Sequence, residues 1–125
     1  MKSIELDASQ WSDAKDVYGA LLPAIGAPDW HGTSVNALID SMIYGGINVV
    51  EPPFTISVSG LDSANATARD HIKGVFDALA QEGACLENDG NIIRLRIESY
   101  GKPWLPDNID EIRESLREQL RPQKP

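Results

Sequence analysis

The chain has 125 residues, enough for one domain with a buried core and too few for two. A hydrophobic fraction of 42% argues for a folded globule, and a net charge of −8 repels nucleic-acid phosphates and anionic membranes while attracting basic partners. A single cysteine, Cys85, excludes an internal disulfide, and the opening MKSIELDASQW lacks the apolar run of a signal peptide, so a cytoplasmic location is expected. The acid is unevenly placed, since residues 1–62 hold only Lys2 and Lys15 against eight carboxylates.

Residues 3–7 alternate polar and apolar, the pattern of a short strand. Ser12 can cap a helix over 13–22 that carries Asp13 and Asp16 in its first turns, where carboxylates suit the dipole. Val17 and Leu21 form its buried stripe with Ala14 and Tyr18 beside them, and Pro23 and Gly26 end it. The stretch PDWHGTSVNALIDSM, 28–42, opens with a turn punctuated by Pro28, Asp29 and Gly32, and Thr33 or Ser34 caps a helix over 33–43. Val35, Leu38, Ile39 and Met42 share one stripe of that helix, and Gly45-Gly46 stops it. Pro52-Pro53 leads into a strand from Phe54 to Ser59, in which Phe54, Ile56 and Val58 alternate with polar residues. Asp62 or Ser63 caps a longer helix to about Glu82, closed by Gly83. CLENDGNIIRLRIE then reads as a hairpin around NDGN, with Ile92–Glu98 the stronger arm.

Strands separated by helices point to parallel crossover units. The expected fold is therefore α/β, a small three- or four-stranded, mainly parallel sheet packed against helices. After residue 100 the composition shifts, and 101–125 reads as an extension. Gly101, Pro103 and Pro106 make a linker, Asn108 caps a helix through about Leu120, and RPQKP is a disordered tail. The stripe of Ile109, Ile112, Leu116 and Leu120 is expected to dock on its own domain, anchored by Trp104 and Leu105, and a monomer is the favoured state.

Nothing in the chain assembles a catalytic set. With two histidines, His31 and His71, one cysteine and no HExxH, no metal site is expected. No GxSxG surrounds a serine, and Gly45-Gly46 lacks the Lys-Ser/Thr of a phosphate loop. His71 reads as a boundary residue and Cys85 as a small core residue. No cofactor is implied, and the chain reads as a binding protein rather than an enzyme. The distinctive feature is Asn36 and Asp40, four apart on a face other than the apolar stripe, with Trp30 just upstream. A solvated helix face over a packed tryptophan accounts for these residues, and so does an interaction surface.

LPAIGAPDWHGTSVNALIDSM resembles the barstar family, intracellular protein inhibitors of secreted ribonucleases. In that family a Pro-acidic-aromatic-aromatic-Gly turn leads into a helix of the form Asn-Leu-Asp-Ala-Leu-x-Asp. Here the frame reads Pro28-Asp29-Trp30-His31-Gly32, then Ser34-Val35-Asn36-Ala37-Leu38-Ile39-Asp40. The likeness extends more loosely from the first strand to about Ile97, giving a barstar-like domain over 1–100, and GGINVVEPPF looks like a subgroup of barstar-related proteins. The resemblance implies that the turn and helix over 30–44 enter a ribonuclease active site, where Asp40 takes the place of substrate phosphate. A carboxylate accepts bidentate arginine bonds in a site built for phosphate, and an acidic field speeds encounter with a basic nuclease.

The contact residues implied are Trp30, Ser34, Asn36, Ala37, Asp40 and Tyr44, with His31, Asp77 and Glu82 as further candidates. The chain departs from the family pattern at Asn36, where the helix has its first acid, at Ser34 for an asparagine and at Ile39 for a bulky aromatic. It departs again at Ala78, where the family's long helix contributes a glutamate. The expected partner is a basic ribonuclease or nuclease toxin in a toxin–immunity role, with no direct contact to nucleic acid or membrane. The alternative is a non-inhibitory interaction or regulatory domain on the same fold.

Overall fold

A computed structural model describes residues 2–101. The elements in chain order are β1 (Lys2–Asp7), α1 (Ala14–Ala24), α2 (Val35–Leu38), a π-helical segment (Ile39–Tyr44) and β2 (Phe54–Ser59). A 3-10 turn (Leu61–Ser63), α3 (Ala66–Gln81), β3 (Cys85–Asn88) and β4 (Ile93–Ile97) complete them. The helix, docking and tail expected in the C-terminal extension lie outside the described residues.

The sheet has four strands in the order β1-β2-β4-β3. β1 pairs parallel with β2, from Lys2 opposite Phe54 to Asp7 opposite Ser59. β4 runs antiparallel to both of its neighbours, β2 and β3. The strands β1, β2 and β3 thus point one way, each joined to the next through helix, as crossover units require. The expectation of mainly parallel pairing is corrected at β4. Its short connection from β3 permits only an antiparallel return, and it inserts between β2 and β3 instead of staying at the edge.

The strand alternation decides which face is covered. Phe54, Ile56 and Val58 of β2, and Ile93, Leu95 and Ile97 of β4, are buried with Ile4 beneath the helices. Ala68, Ile72, Val75, Phe76 and Leu79 of α3 and Val17, Tyr18 and Leu21 of α1 meet them there. Full burial of each large side chain contributes about 1.5–3 kcal/mol, so this layer holds the scaffold. The opposite face carries Thr55, Ser57, Arg94 and Arg96. Cys85 belongs to that face and is exposed rather than a core residue, because the pleat of β3 turns Leu86 inward and Cys85 and Glu87 outward.

Helix ends also differ in detail from expectation. Asp13, not Ser12, caps α1, its Oδ1 accepting the Asp16 amide at 3.2 Å, while the Ser12 amide donates to Asp16 Oδ2 at 2.7 Å. Residues 61–63 are used in the 3-10 turn that buries Leu61, so α3 starts later. Its cap is Asn65, whose side chain accepts from the Thr67 amide at 3.0 Å. Among the described residues no helix is long and apolar enough to cross a membrane.

Candidate partner-binding site

The turn and helix that set Trp30 and Asp40 apart are built from local bonds. The His31 amide donates to Pro28 O at 2.9 Å, closing the turn. Ser34, extended at φ −142°, caps α2 and accepts the Ala37 amide on Oγ at 3.1 Å. After one turn the helix widens, and the Gly45 amide reaches back five residues to Asp40 O at 3.1 Å. The wider turn faces Ser41, Met42 and Ile43 inward together with Leu38. Val35 and Ile39, expected on the buried stripe, are only half-buried. Gly45 at φ 86° then reverses the chain, a conformation that a side chain resists.

Three polar side chains are buried among the described residues, His31, Ser41 and Asn48, and all belong to this segment. His31 Nδ1 lies 2.7 Å from Gly32 O, and Nε2 lies 2.7 Å from Ser41 Oγ. A carbonyl only accepts, so Nδ1 carries a proton and donates to Gly32 O, while Nε2 pairs with the Ser41 hydroxyl. The imidazole therefore ties the turn holding Trp30 to the helix holding Asp40. Both of its ring nitrogens are hydrogen-bonded within the fold. Asn48 Oδ1 is buried without a hydrogen-bond partner among the described residues.

Around this strut a cleft of about 100 Å³ is lined by Trp30, His31, Gly32, Ala37, Asp40 and Ile47. Trp30 is 74% exposed rather than packed beneath the helix, and Asp40 is exposed too. Ala37 keeps the floor low between them. Tyr44, 38% exposed, extends the site, its hydroxyl donating to Glu82 Oε2 at 3.1 Å. That bond first, then partial burial and the charges of Glu82 and Asp40, hold the Tyr44 phenol above its ordinary value. Asp40 and Glu82 thus flank the neutral Tyr44 phenol in one acidic strip.

The other candidates divide. Ser34 serves the helix as its cap, and Asn36 is exposed but does not line the cleft. Asp77 lines a different crevice, between α3 and the hairpin, with Lys73, Phe76 and Leu86. His31 turns inward, and its contribution to the cleft is a wall. Ile47 and Gly32 also line the cleft, and the sequence alone does not single them out. Their signal was weak, since a glycine in a turn and an isoleucine in a loop look structural. A larger groove, about 570 Å³ along Ala14, Tyr18, Gly19 and Leu22 of α1, is also lined by Thr33 and contains neither Trp30 nor Asp40.

Residues 1–98 match the sequence profile of a family described as Barstar (barnase inhibitor). No curated protein and no solved structure gives a significant match.

Proposed function

The chain belongs to the barstar family, and from that premise we propose that it inhibits a barnase-like ribonuclease by occupying the enzyme's active site. The observation that carries the reading is the cleft itself, with an exposed indole and an exposed carboxylate on the rim of a turn and helix braced from within by His31. Asp40 stands in for substrate phosphate, accepting hydrogen bonds from the cationic side chains that would hold it. Trp30 supplies a large rigid contact that loses water on docking, as aromatic anchors at interface centres do. Because His31 and Ser34 fix the backbone beforehand, little ordering is left for the moment of binding.

The same geometry accounts for the missing glutamate at Ala78. Glu82 lies four residues on, on the same side of the helix end, and Tyr44 joins it to the strip that begins at Asp40. We assign Glu82, the C-cap residue just past the end of α3, as the second acidic contact, four residues on from Ala78. Asp77 has no such link to the site. The acidic first half of the chain steers encounter, and the inhibitor's place of action is the cytoplasm of a cell exposed to the nuclease.

The test is steady-state cleavage of a fluorogenic RNA by barnase with increasing amounts of the full chain. Competitive inhibition that saturates at one equivalent supports the reading. Cleavage that proceeds unchanged in the presence of excess protein refutes it for this class of enzyme.

A further inference from the structure

The groove along α1 is open and mostly apolar. Ala14, Tyr18, Leu22 and Pro23 line it with Lys15 beside them, and Thr33 joins it to the root of α2. Midway along stands Gly19, exposed, with nothing within 4 Å of where a Cβ would sit. Glycine inside a helix weakens it relative to alanine, and no neighbour among the described residues requires one there. The dip it leaves lets another helix cross α1 closely. Two other surfaces suit an apolar occupant less well. The Trp30–Asp40 cleft is only about 100 Å³ and carries a carboxylate. The sheet face turned away from the helices carries Thr55, Ser57, Arg94 and Arg96.

We propose that this groove seats residues 109–120 of the same chain, with Ile109, Ile112, Leu116 and Leu120 packed along α1. These four are spaced three, four and four apart, which puts them on one face of a helix. The reach is sufficient. The Gly101 amide donates to Ile43 O at 2.6 Å, so the chain leaves the described domain beside the end of the π-helical segment. From Ile43 back to Thr33 is roughly 15 Å of helix rise. Residues 102–107, extended, span up to about 20 Å. The lengths match as well, since the stripe covers about 16 Å of helix and the groove about 14 Å of α1. Charge does not oppose the contact. Residues 102–125 hold five basic and five acidic side chains, so the net charge of −8 lies wholly in 1–101. A helix this short and narrow-striped is marginal alone in water, and burial against α1 supplies what it lacks. Neither Trp30 nor Asp40 lines the groove, so docking there is independent of the inhibitory reading.

The experiment compares the full chain with Gly19→Gln and with the pair Ile112→Ser and Leu116→Ser, by thermal melting, amide exchange and light scattering. Glutamine is a better helix former than glycine and enters open space, so over an empty groove Gly19→Gln stabilises the protein. A seated helix reverses that sign, because the new side chain displaces it. Gly19→Gln is therefore expected to lower the melting temperature of the full chain by about 4–8 °C. With Ile112→Ser and Leu116→Ser also present, the same substitution is expected to raise it. The two serines alone are expected to speed amide exchange across residues 14–23. A Gly19→Gln chain that melts higher in both backgrounds shows the groove empty and overturns the proposal. Exchange over 14–23 that the serines leave unchanged places the stripe elsewhere and also overturns it. A wild-type dimer that the serines convert to monomer assigns the groove to a second copy, with the same consequence.

Discussion

Removing the Ser41 hydroxyl tests the strut beneath the site. Ser41 is 1% exposed, and its Oγ lies 2.7 Å from His31 Nε2. In Ser41→Ala the ring keeps its bond to Gly32 O at 2.7 Å, but Nε2 is left buried with no partner. An orphaned polar atom of this kind costs about 1–3 kcal/mol, the desolvation that the hydrogen bond had offset. The opposite change is milder. In His31→Phe the Ser41 hydroxyl turns to Leu38 O, already 3.5 Å away, so less polar burial is left unsatisfied. The double variant then loses less than the sum of the two, because the orphaned nitrogen is gone, and a double-mutant cycle returns a coupling of about 1 kcal/mol. Denaturant unfolding followed by tryptophan fluorescence gives each value, and a melting point drop of about 4–8 °C per kcal/mol is expected for a domain of this size. A Ser41→Ala protein as stable as the wild type, or a cycle with no coupling, would show that the bond is incidental to the fold.

Gly26→Ala places a Cβ against Val49 at a φ of +67°, and combined strain and contact are expected to destabilise the domain by about 1–3 kcal/mol in urea unfolding; an unchanged midpoint would mean that contact is loose. Tyr44 holds its proton above the ordinary value of 10.0 through Glu82, so its share of stability is complete below that pH and disappears as pH rises through the folded value. Glu82→Gln should lower the midpoint of the Tyr44 step in an ultraviolet titration, identified by its absence in Tyr44→Phe, and no movement would remove the link between the two residues. On the acid side, the backbone amide of Ser9 and then its hydroxyl hold Asp7 below 3.8, so its contribution is present above that value and is lost as pH falls through the folded one. Asp7→Asn should therefore lower the melting temperature at neutral pH but much less in acid, and an equal loss at both would contradict the assignment.

Where periodicity and pleat decide, the structure follows what the residues dictate. β2 reads directly from Phe54, Ile56 and Val58, and the Ser34 cap from its place before an apolar run. The exposure of Asp40 also follows from helical spacing. The π-helical turn does not, since nothing in IDSMIY distinguishes a turn closed at five residues from one closed at four. That single widening turns Ser41 inward and gives His31 a partner ten residues away. A histidine beside a tryptophan in a polar turn looks like a contact residue until that partner is placed. Cys85 and the position of β4 depend on which strand lies next to which, information that local sequence does not hold. The backbone bonds from Val49 and Val50 to Gly26 and Ile25 join two segments that each look like ordinary turns.

The central claim is that Asp40 occupies the phosphate position of a ribonuclease, and calorimetric titration of barnase with wild type and Asp40→Ala tests it most directly. Removing one partner of a buried, hydrogen-bonded charge pair costs about 2–5 kcal/mol, so Kd should weaken by a factor of roughly 30–5,000. Asp40 is exposed in the free protein, so the melting temperature of the variant should stay close to that of the wild type. A dissociation constant unchanged by the substitution, at equal stability, would contradict the claim.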